Sequence, residues 1–587
     1  MKKLPLLLFL LAFFHSTALG VLITTGGGGG VLKSSNDYIV IGVGIGGLVV
    51  ANRLTEDSSV SVLLVESGDL DDRAEDVTVP GNVGQENPSR YEWAVTTEPQ
   101  AFLDNRTRTF TQGRVVGGGT IVNGLCWTRG SAADYDAWEN LGNPGWGWTG
   151  MLPCFLKSEN YTASRDPLPQ PPSDWYGTGG PVEVGFPQYI YNQSFSFLQG
   201  VQELGIPLNP DINNDSATGA SLVPSSIKAE NQSRADARTA YLDPVISRPN
   251  LDLLTGHTVT RIQSGENDNQ TNGKGVAVTG VELAANATAQ KFTVSCNREI
   301  ILSAGAILSP VLLQISGFGP AEHLRSIGVD QVVHLPGVGS NLQDHAMVQP
   351  VYRYTAPGVF SAWDIVGVQR DAIKAEYAAN RTDQSLRNLP PTYDETLRAG
   401  YAAQVAEIRA LLARPDVPSW ELMATSWGQL AVSVMHPLSR GTVHARSSSV
   451  FEQQPAIVDH RLCSHEFDCN VMRAGLEFND RLIATDAMAA LLPVPPPGLR
   501  PEDVRNRTAV MELVKSMAIT DFHPSGTVAM MPRKAGGVVD ASLRVYGTRN
   551  LRVVDASVIP LIPGAHIQAA VYAVAEKAAD VIKHENL

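Results

Sequence analysis

The segment Asp37 to Gly68, DYIVIGVGIGGLVVANRLTEDSSVSVLLVESG, limits what this chain can fold into more than any other stretch. Tyr38 to Ile41 form a short apolar run that ends at a glycine, the pattern of a buried strand. Gly42, Gly44 and Gly47 follow in G-x-G-x-x-G spacing, and Leu48, Val49, Ala51 and Leu54 give the next helix its packing face. Val60 to Val65 make a second strand with Glu66 at its end. A strand, helix and strand joined in this way require a parallel sheet covered by helices.

Each part of the unit has a physical task. Gly42 permits the tight turn, Gly44 lets backbone approach a pyrophosphate, and Gly47 lets helix and strand pack closely, while the helix N-terminus offers free N–H groups to an anion. Glu66, 19 residues after Gly47, is placed to accept hydrogen bonds from a ribose diol. An acid there disfavours a 2′-phosphate, so FAD or NAD is expected in preference to NADP.

The chain begins with Lys2 and Lys3, the apolar run Leu4 to Phe14 and the small residues Ala18-Leu19-Gly20, which read as a cleaved signal peptide over residues 1–20. That run is short for a membrane span of about 20 residues, so no stable membrane insertion is expected. Gly26 to Gly30 make residues 21–36 a flexible leader. About 550 residues remain, enough for two or more domains. A formal net charge of -14 and a pI near 5.4 argue against nucleic acid or an anionic membrane as partner. Nine N-x-S/T sites, at Asn105, Asn160, Asn192, Asn214, Asn231, Asn269, Asn286, Asn380 and Asn506, support routing through the secretory pathway and make a secreted glycoprotein the expectation. The five cysteines lack metal-site spacing, and no metal is expected; Cys463 and Cys469 enclose a short loop and are the best candidates for a disulfide.

A second glycine-rich stretch, GRVVGGGTIVNGLCWTRG from Gly113 to Gly130, carries apolar flanks at Val115, Val116, Ile121 and Val122 that a solvated loop lacks. A buried loop lying against a flat cofactor fits it better. The stretch resembles the first signature of the glucose-methanol-choline (GMC) flavin oxidoreductases. Gly305 to Gly319, GAILSPVLLQISGFG, resembles the second signature, with Phe318 where an aliphatic residue is more usual, and PGVGSNLQDH from Pro336 to His345 is similar to a third block. The run Asn123 to Gly130 is nearer the fungal secreted branch of the family than its bacterial choline branch. The resemblance implies that residues 42–66 hold the ADP half of FAD. It implies too that Gly117, Gly118, Thr120 and Asn123 lie along the isoalloxazine and pyrophosphate. Val122 stands near the place where some relatives carry a flavin-linking histidine, so a noncovalent flavin is implied.

The chemistry is expected near the C-terminus. Asp521-Phe522-His523-Pro524-Ser525-Gly526-Thr527 sets a histidine in a turn, and Gly564-Ala565-His566 opens an alanine-rich helix, Ile567 to Ile582. Both histidines match the catalytic pair of the family. A neutral imidazole can take the hydroxyl proton of an alcohol near physiological pH; His523 is assigned that role, and His566, often Asn in relatives, holds the same oxygen. Asp555, at the end of the run Val553-Val554, is either a helix cap or, as the resemblance implies, a residue reaching the ribityl and pyrophosphate region. Trp420, Met423, Trp427 and Met435 are pocket or core residues of a strand-rich stretch from Trp420 to Val443. Asp364 to Asn380 and Gln404 to Ala413 are expected to be helices, packing in the core or shaping the entrance.

The expected fold is α/β: a Rossmann-like FAD-binding domain of discontinuous segments and a sheet-and-helix substrate domain. Residues 37–145, 245–345 and 521–587 are assigned to the first, and 146–244 and 346–520 to the second. The expected activity is FAD-dependent oxidation of an alcohol to a carbonyl by hydride transfer, with a small-molecule alcohol as substrate and oxygen or another electron acceptor as partner. The alternative is an FAD-containing cyclase or dehydratase of a polyketide pathway with no net redox change, a chemistry also found on this fold.

Overall fold

The computed structural model describes residues 22–24, 32–83, 91–163, 175–265, 275–357, 365–370 and 386–585. The expected signal peptide over residues 1–20 and the glycine run Gly26 to Gly30 lie outside them. Two sheets organise the chain. The first has eight strands, and its centre is parallel: Leu251–Leu254, Val62–Val65, Ser35–Ile41 and Phe292–Leu302 pair in that order, with Leu551–Val553 paired parallel to the end of the last. Leu251–Leu254, Val62–Val65 and the C-terminal halves of Ser35–Ile41 and Phe292–Leu302 are buried, which is why Ile39 to Ile41, Val62 to Val65 and Ile300 to Leu302 read as continuous apolar runs. The helix Ile45–Leu54 packs on the C-terminal helix Gln568–Glu585, where Ala569, Ala570, Ala573 and Ala575 are buried and Arg53 pairs with the buried Glu576 at 2.6 Å.

The second sheet is antiparallel and six-stranded, in the order Ile519–Thr520, Ala346–Val348, Leu430–Val434, Trp420–Thr425, Ile365–Arg370, Gly219–Leu222. Its strands alternate. Trp420 meets Phe478 of the helix Glu466–Ile483, and Val432 leaves room only for Gly475 of that helix. Glu421, Met423, Ala431 and Ser433, one residue out of phase, therefore face the other way, toward the first sheet.

Two expectations need correction. Residues 21–36 are not uniformly a flexible leader: Leu22–Thr24 pairs antiparallel with Asp252 to Leu254 at the open edge of the first sheet, and Ser35 and Asn36 begin a strand. Asp364 to Asn380 does not form the expected helix over its described part. Ile365–Arg370 is a strand closing the gap between Trp420–Thr425 and Gly219–Leu222, where backbone pairing on both sides overrides a helical spacing of apolar residues; residues 371–385 lie outside the description. Phe292–Leu302 is one long strand, and Thr258–Ser264 adds a further strand at the edge of its sheet. The stretch 146–244 carries helices at Trp148–Ser158 and Asn192–Glu203. Cys463 and Cys469 form a disulfide, and Cys126, Cys154 and Cys296 are free. Among the described residues no helix is long and apolar enough to cross a membrane.

Candidate active site

The parallel strands all deliver their C-terminal ends to one crevice, the place where open α/β sheets bind ligands. A cavity of about 940 Å³ lies there, at the upper end of the usual range for cofactor and substrate sites. One end is lined by Gly42, Gly44, Glu66, Gly118, Ser303 and Asp555, and the other by Met423, Trp427, Asp521, Phe522, His523 and His566.

The first end is made for close backbone approach. Gly42 has φ +91°, and a Cβ on it would fall 2.4 Å from the Ser303 carbonyl oxygen; a Cβ on Gly118 would fall 2.8 Å from the Cα of Gly44. The two glycine loops therefore touch backbone to backbone. The helix that starts after Gly44 has no side chain capping its first turn, which leaves N–H groups for an anion. Gly47 packs helix against strand, its missing Cβ 2.1 Å from the Gly42 carbonyl. Glu66 accepts from the backbone N–H groups of Val43 and Gly68 at 2.9 Å each, which fixes its carboxylate at the strand end with further lone pairs free. Burial raises its carboxyl pKa, and those two backbone donors oppose the rise. This bare, uncapped cradle with an acid beside it fits the ADP half of FAD.

The other expected cofactor residues divide. Gly118 and Asn123 line the cavity, but Gly117 and Thr120 stand behind the loop and do not. The Thr120 hydroxyl donates to the Gly117 carbonyl at 2.6 Å and accepts from the Ala237 N–H at 3.0 Å, so its work is to shape the loop. The Asn123 amide is also used within the protein: it donates to Gln568 at 2.5 Å and accepts from Arg234 at 2.8 Å. Asp555 caps the turn Ala556–Val558 through Ser557 and also lines the cavity, with Gly305 N–H and Ser309 Oγ donating to its other oxygen. Burial raises its carboxyl pKa against these donors.

At the opposite end the two histidines meet, ring centroids 4.9 Å apart and nearly perpendicular. His523 follows Phe522, whose φ of +60° turns the chain sharply, and Asp344 Oδ1 accepts from the His523 N–H at 3.0 Å. His523 Nδ1 lies 3.0 Å from Nδ1 of the fully buried His345, which leaves Nε2 for the cavity. Burial, then the neighbouring His566 and His345, hold the His523 pKa well below its ordinary value, so this imidazole is neutral. The His566 N–H donates to Thr128 Oγ1 at 2.8 Å, and its Nε2 lies 3.0 Å from Oε2 of the buried Glu421. Burial alone lowers the His566 pKa, but Glu421, helped by Asp521, outweighs it and lifts it to about 9. The site thus pairs a neutral imidazole with a cationic one.

Met423 and Trp427 face the cavity, Trp427 with 43 % of its surface exposed, whereas Trp420 and Met435 are buried in the core. The helix Glu395–Leu412 contributes nothing to the cavity wall. Sequence reasoning missed Glu421, Asp521 and His345 as parts of the site. His345, Asp521 and His523 also bring one ligand-type atom each within 4.8 Å of one another, the one such group among the described residues, with the two imidazole nitrogens spaced as a hydrogen bond.

Family models described as GMC oxidoreductase match residues 24–347 and 437–575. The dehydrogenase xptC of Emericella nidulans is 33% identical over 95% of this chain and 94% of its own length, and an oxygen-dependent choline dehydrogenase of Stenotrophomonas maltophilia is 33% identical over 93% and 94%. An FAD-dependent oxidoreductase from Chaetomium thermophilum superposes with a TM-score of 0.87 at 30% identity over 94% of this chain and 100% of that one. A fungal aryl-alcohol oxidase does so with a TM-score of 0.84 at 30% identity, over 94% and 100%. With family models over most of its length and relatives 33% identical over nearly the whole of it, the chain belongs to the GMC oxidoreductases, as an FAD-dependent enzyme of the fungal branch.

Proposed function

We propose that this enzyme oxidises an alcohol with a substantially apolar body to the corresponding carbonyl. The observation that carries the reading is the pair of unlike imidazoles, His523 neutral and His566 cationic, at the end of the cavity opposite the nucleotide cradle. FAD, when bound, supplies the hydride acceptor. His523 Nε2 receives the hydroxyl proton, which requires the proton of its neutral ring to sit on Nδ1. His345 favours that tautomer: its Nε2 side faces the carbonyls of Met435 and Pro563, although no standard hydrogen bond closes there. An N–H on that side leaves the His345 Nδ1 lone pair to accept from His523. Burial takes the His345 pKa down to about 3, so it stays neutral. His566 Nε2 is held by Glu421, and its Nδ1–H is the donor left to steady the substrate oxygen as negative charge grows on it. Met347, Met423, Trp427 and Phe522 supply an apolar wall that excludes water.

The similarity to an aryl-alcohol oxidase supports this choice of substrate body. The same unlike pair, an acid beside a base, also suits a cyclisation or dehydration without net redox change. Adding sugars, aryl alcohols and polyketide lactols anaerobically to the yellow holoprotein separates the two: bleaching by an alcohol supports oxidation, and conversion of a compound while the flavin stays oxidised supports the second reading. Admitting air after bleaching then tests whether oxygen is the acceptor. The Cys463–Cys469 disulfide and the N-x-S/T sites support a secretory location, which deglycosylation of the native protein tests.

A further inference from the structure

Asp521 helps Glu421 keep His566 protonated but makes no contact in the reaction described above, yet it occupies a costly position. The residue is 7 % exposed and lines the cavity two positions before His523. Its Oδ2 accepts from Ser433 Oγ at 2.8 Å and stands 3.9 Å from His523 Nδ1. Oδ1 receives no hydrogen bond from any described residue, and it is not among the buried atoms sealed without a partner. Burial lifts its pKa to about 7 against the pull of His566 and Ser433, so the ionised, half-satisfied carboxylate is expensive unless something completes it. Among the described residues, Ser433 is its sole side-chain donor; the neighbouring charges are His566, Glu421 and Asp344.

We propose that Asp521 Oδ1 is a substrate-binding site for a second hydrogen-bond donor, so that the preferred alcohol carries a hydroxyl, phenol or amine on a carbon next to the carbinol or one further away. This rests on the alcohol-oxidation reading and specifies its substrate class. The spacing follows from the wall: Asp521 and His523 lie side by side, so a molecule whose hydroxyl reaches His523 presents only its nearest substituents to Asp521. A donor there satisfies the open oxygen. Above about pH 7, where the carboxyl is ionised, an ether or carbonyl in the same place sets lone pairs against lone pairs, and a bare hydrocarbon leaves the carboxylate unpaired. Sites built to hydrogen-bond a substrate group discriminate strongly against analogues without it.

The test uses the oxidised holoprotein with FAD bound, under anaerobic conditions, and reads ligand affinity from perturbation of the flavin spectrum. Catechol and 2-methoxyphenol differ in one donor and carry no carbinol to be oxidised. Wild-type protein is expected to bind catechol roughly tenfold or more tightly than 2-methoxyphenol, the scale of a hydrogen bond to a charged group. Asp521→Leu should bring the two affinities to within about twofold. Asp521→Asn, which preserves shape and a contact to Ser433, should reduce the ratio severalfold and decides the matter if the leucine variant yields no yellow protein. Equal affinities in the wild type, an unchanged ratio in Asp521→Asn, or no spectral response to either ligand overturns the proposal. Because nothing is turned over, failure of every alcohol to bleach the flavin would count against the oxidation reading and leave this result intact.

Discussion

Replacing Glu421 by glutamine keeps the shape of the site and removes the charge that holds His566 protonated. The structure sets the size of the effect. Moving His566 from its ordinary 6.5 to about 9 corresponds to a preference of about 3.4 kcal/mol for the imidazolium, at about 1.36 kcal/mol per pH unit. Without Glu421, burial is opposed by Asp521 alone, and the imidazole should titrate at or below its ordinary value. The assay is the anaerobic rate of flavin reduction by an accepted alcohol, measured against pH in stopped flow. In the wild type the rate should fall as pH rises through about 9. In Glu421→Gln that limb should move down to 6.5 or lower, so that at a pH of about 7.5 the variant reduces its flavin roughly tenfold more slowly. Stability should follow the same sign. A histidine whose pKa is raised on folding stabilises fully below its unfolded value and loses that contribution as pH rises through its folded value. The variant should thus be less stable near neutrality by on the order of 3 kcal/mol, with the difference fading above pH 9. A variant that keeps the wild-type alkaline limb near 9 would refute the claim that His566 acts as an imidazolium held by Glu421.

Three further outcomes are expected. His523→Ala should keep its yellow FAD spectrum while the rate of flavin reduction by alcohol falls by roughly 10² to 10⁴, the usual contribution of a positioned base; unchanged reduction removes His523 from the chemistry. Gly118→Ala places a Cβ 2.8 Å from the Gly44 Cα at a backbone φ of +54°, and the purified protein should carry markedly less FAD than the wild type, as judged by the ratio of flavin to protein absorbance. Prolonged chelation should leave anaerobic reduction unaltered, because the close approach of His345 and His523 is a hydrogen bond; loss of activity restored by a divalent metal would reassign the group with Asp521 as a metal site.

Much of the cofactor end was legible because its chemistry is local. Gly42, Gly44 and Glu66 belong to one βαβ unit whose spacing fixes their relation, and His523 and His566 each sit at a turn marked by glycine or proline. The rest depends on tertiary register. Glu421 meets His566 because its strand buries Trp420 on one face and thereby presents the next residue on the other. One oxygen of Asp521 accepts from Ser433, 88 residues away, because the strand Ala346–Val348 pairs with both Leu430–Val434 and Ile519–Thr520. No local pattern carries that information. Thr120 looked like a cofactor contact because it lies in a flavin loop, but loop position does not say which face a hydroxyl takes, and this one is spent on Gly117 and Ala237. Ile365–Arg370 looked helical for a similar reason: its apolar spacing suited a helix, and the two strand edges waiting for it were distant in sequence.

The central claim is that a carbinol hydrogen leaves as hydride while His523 holds the hydroxyl proton. Its most direct test is anaerobic bleaching of the holoprotein by an accepted alcohol, compared with the same alcohol carrying deuterium on the carbinol carbon. The account expects stoichiometric carbonyl product and bleaching that is slower with the deuterated alcohol in the wild type. Product formed with the deuterium retained and the flavin still oxidised would contradict it and make the enzyme an acid–base catalyst without net redox chemistry.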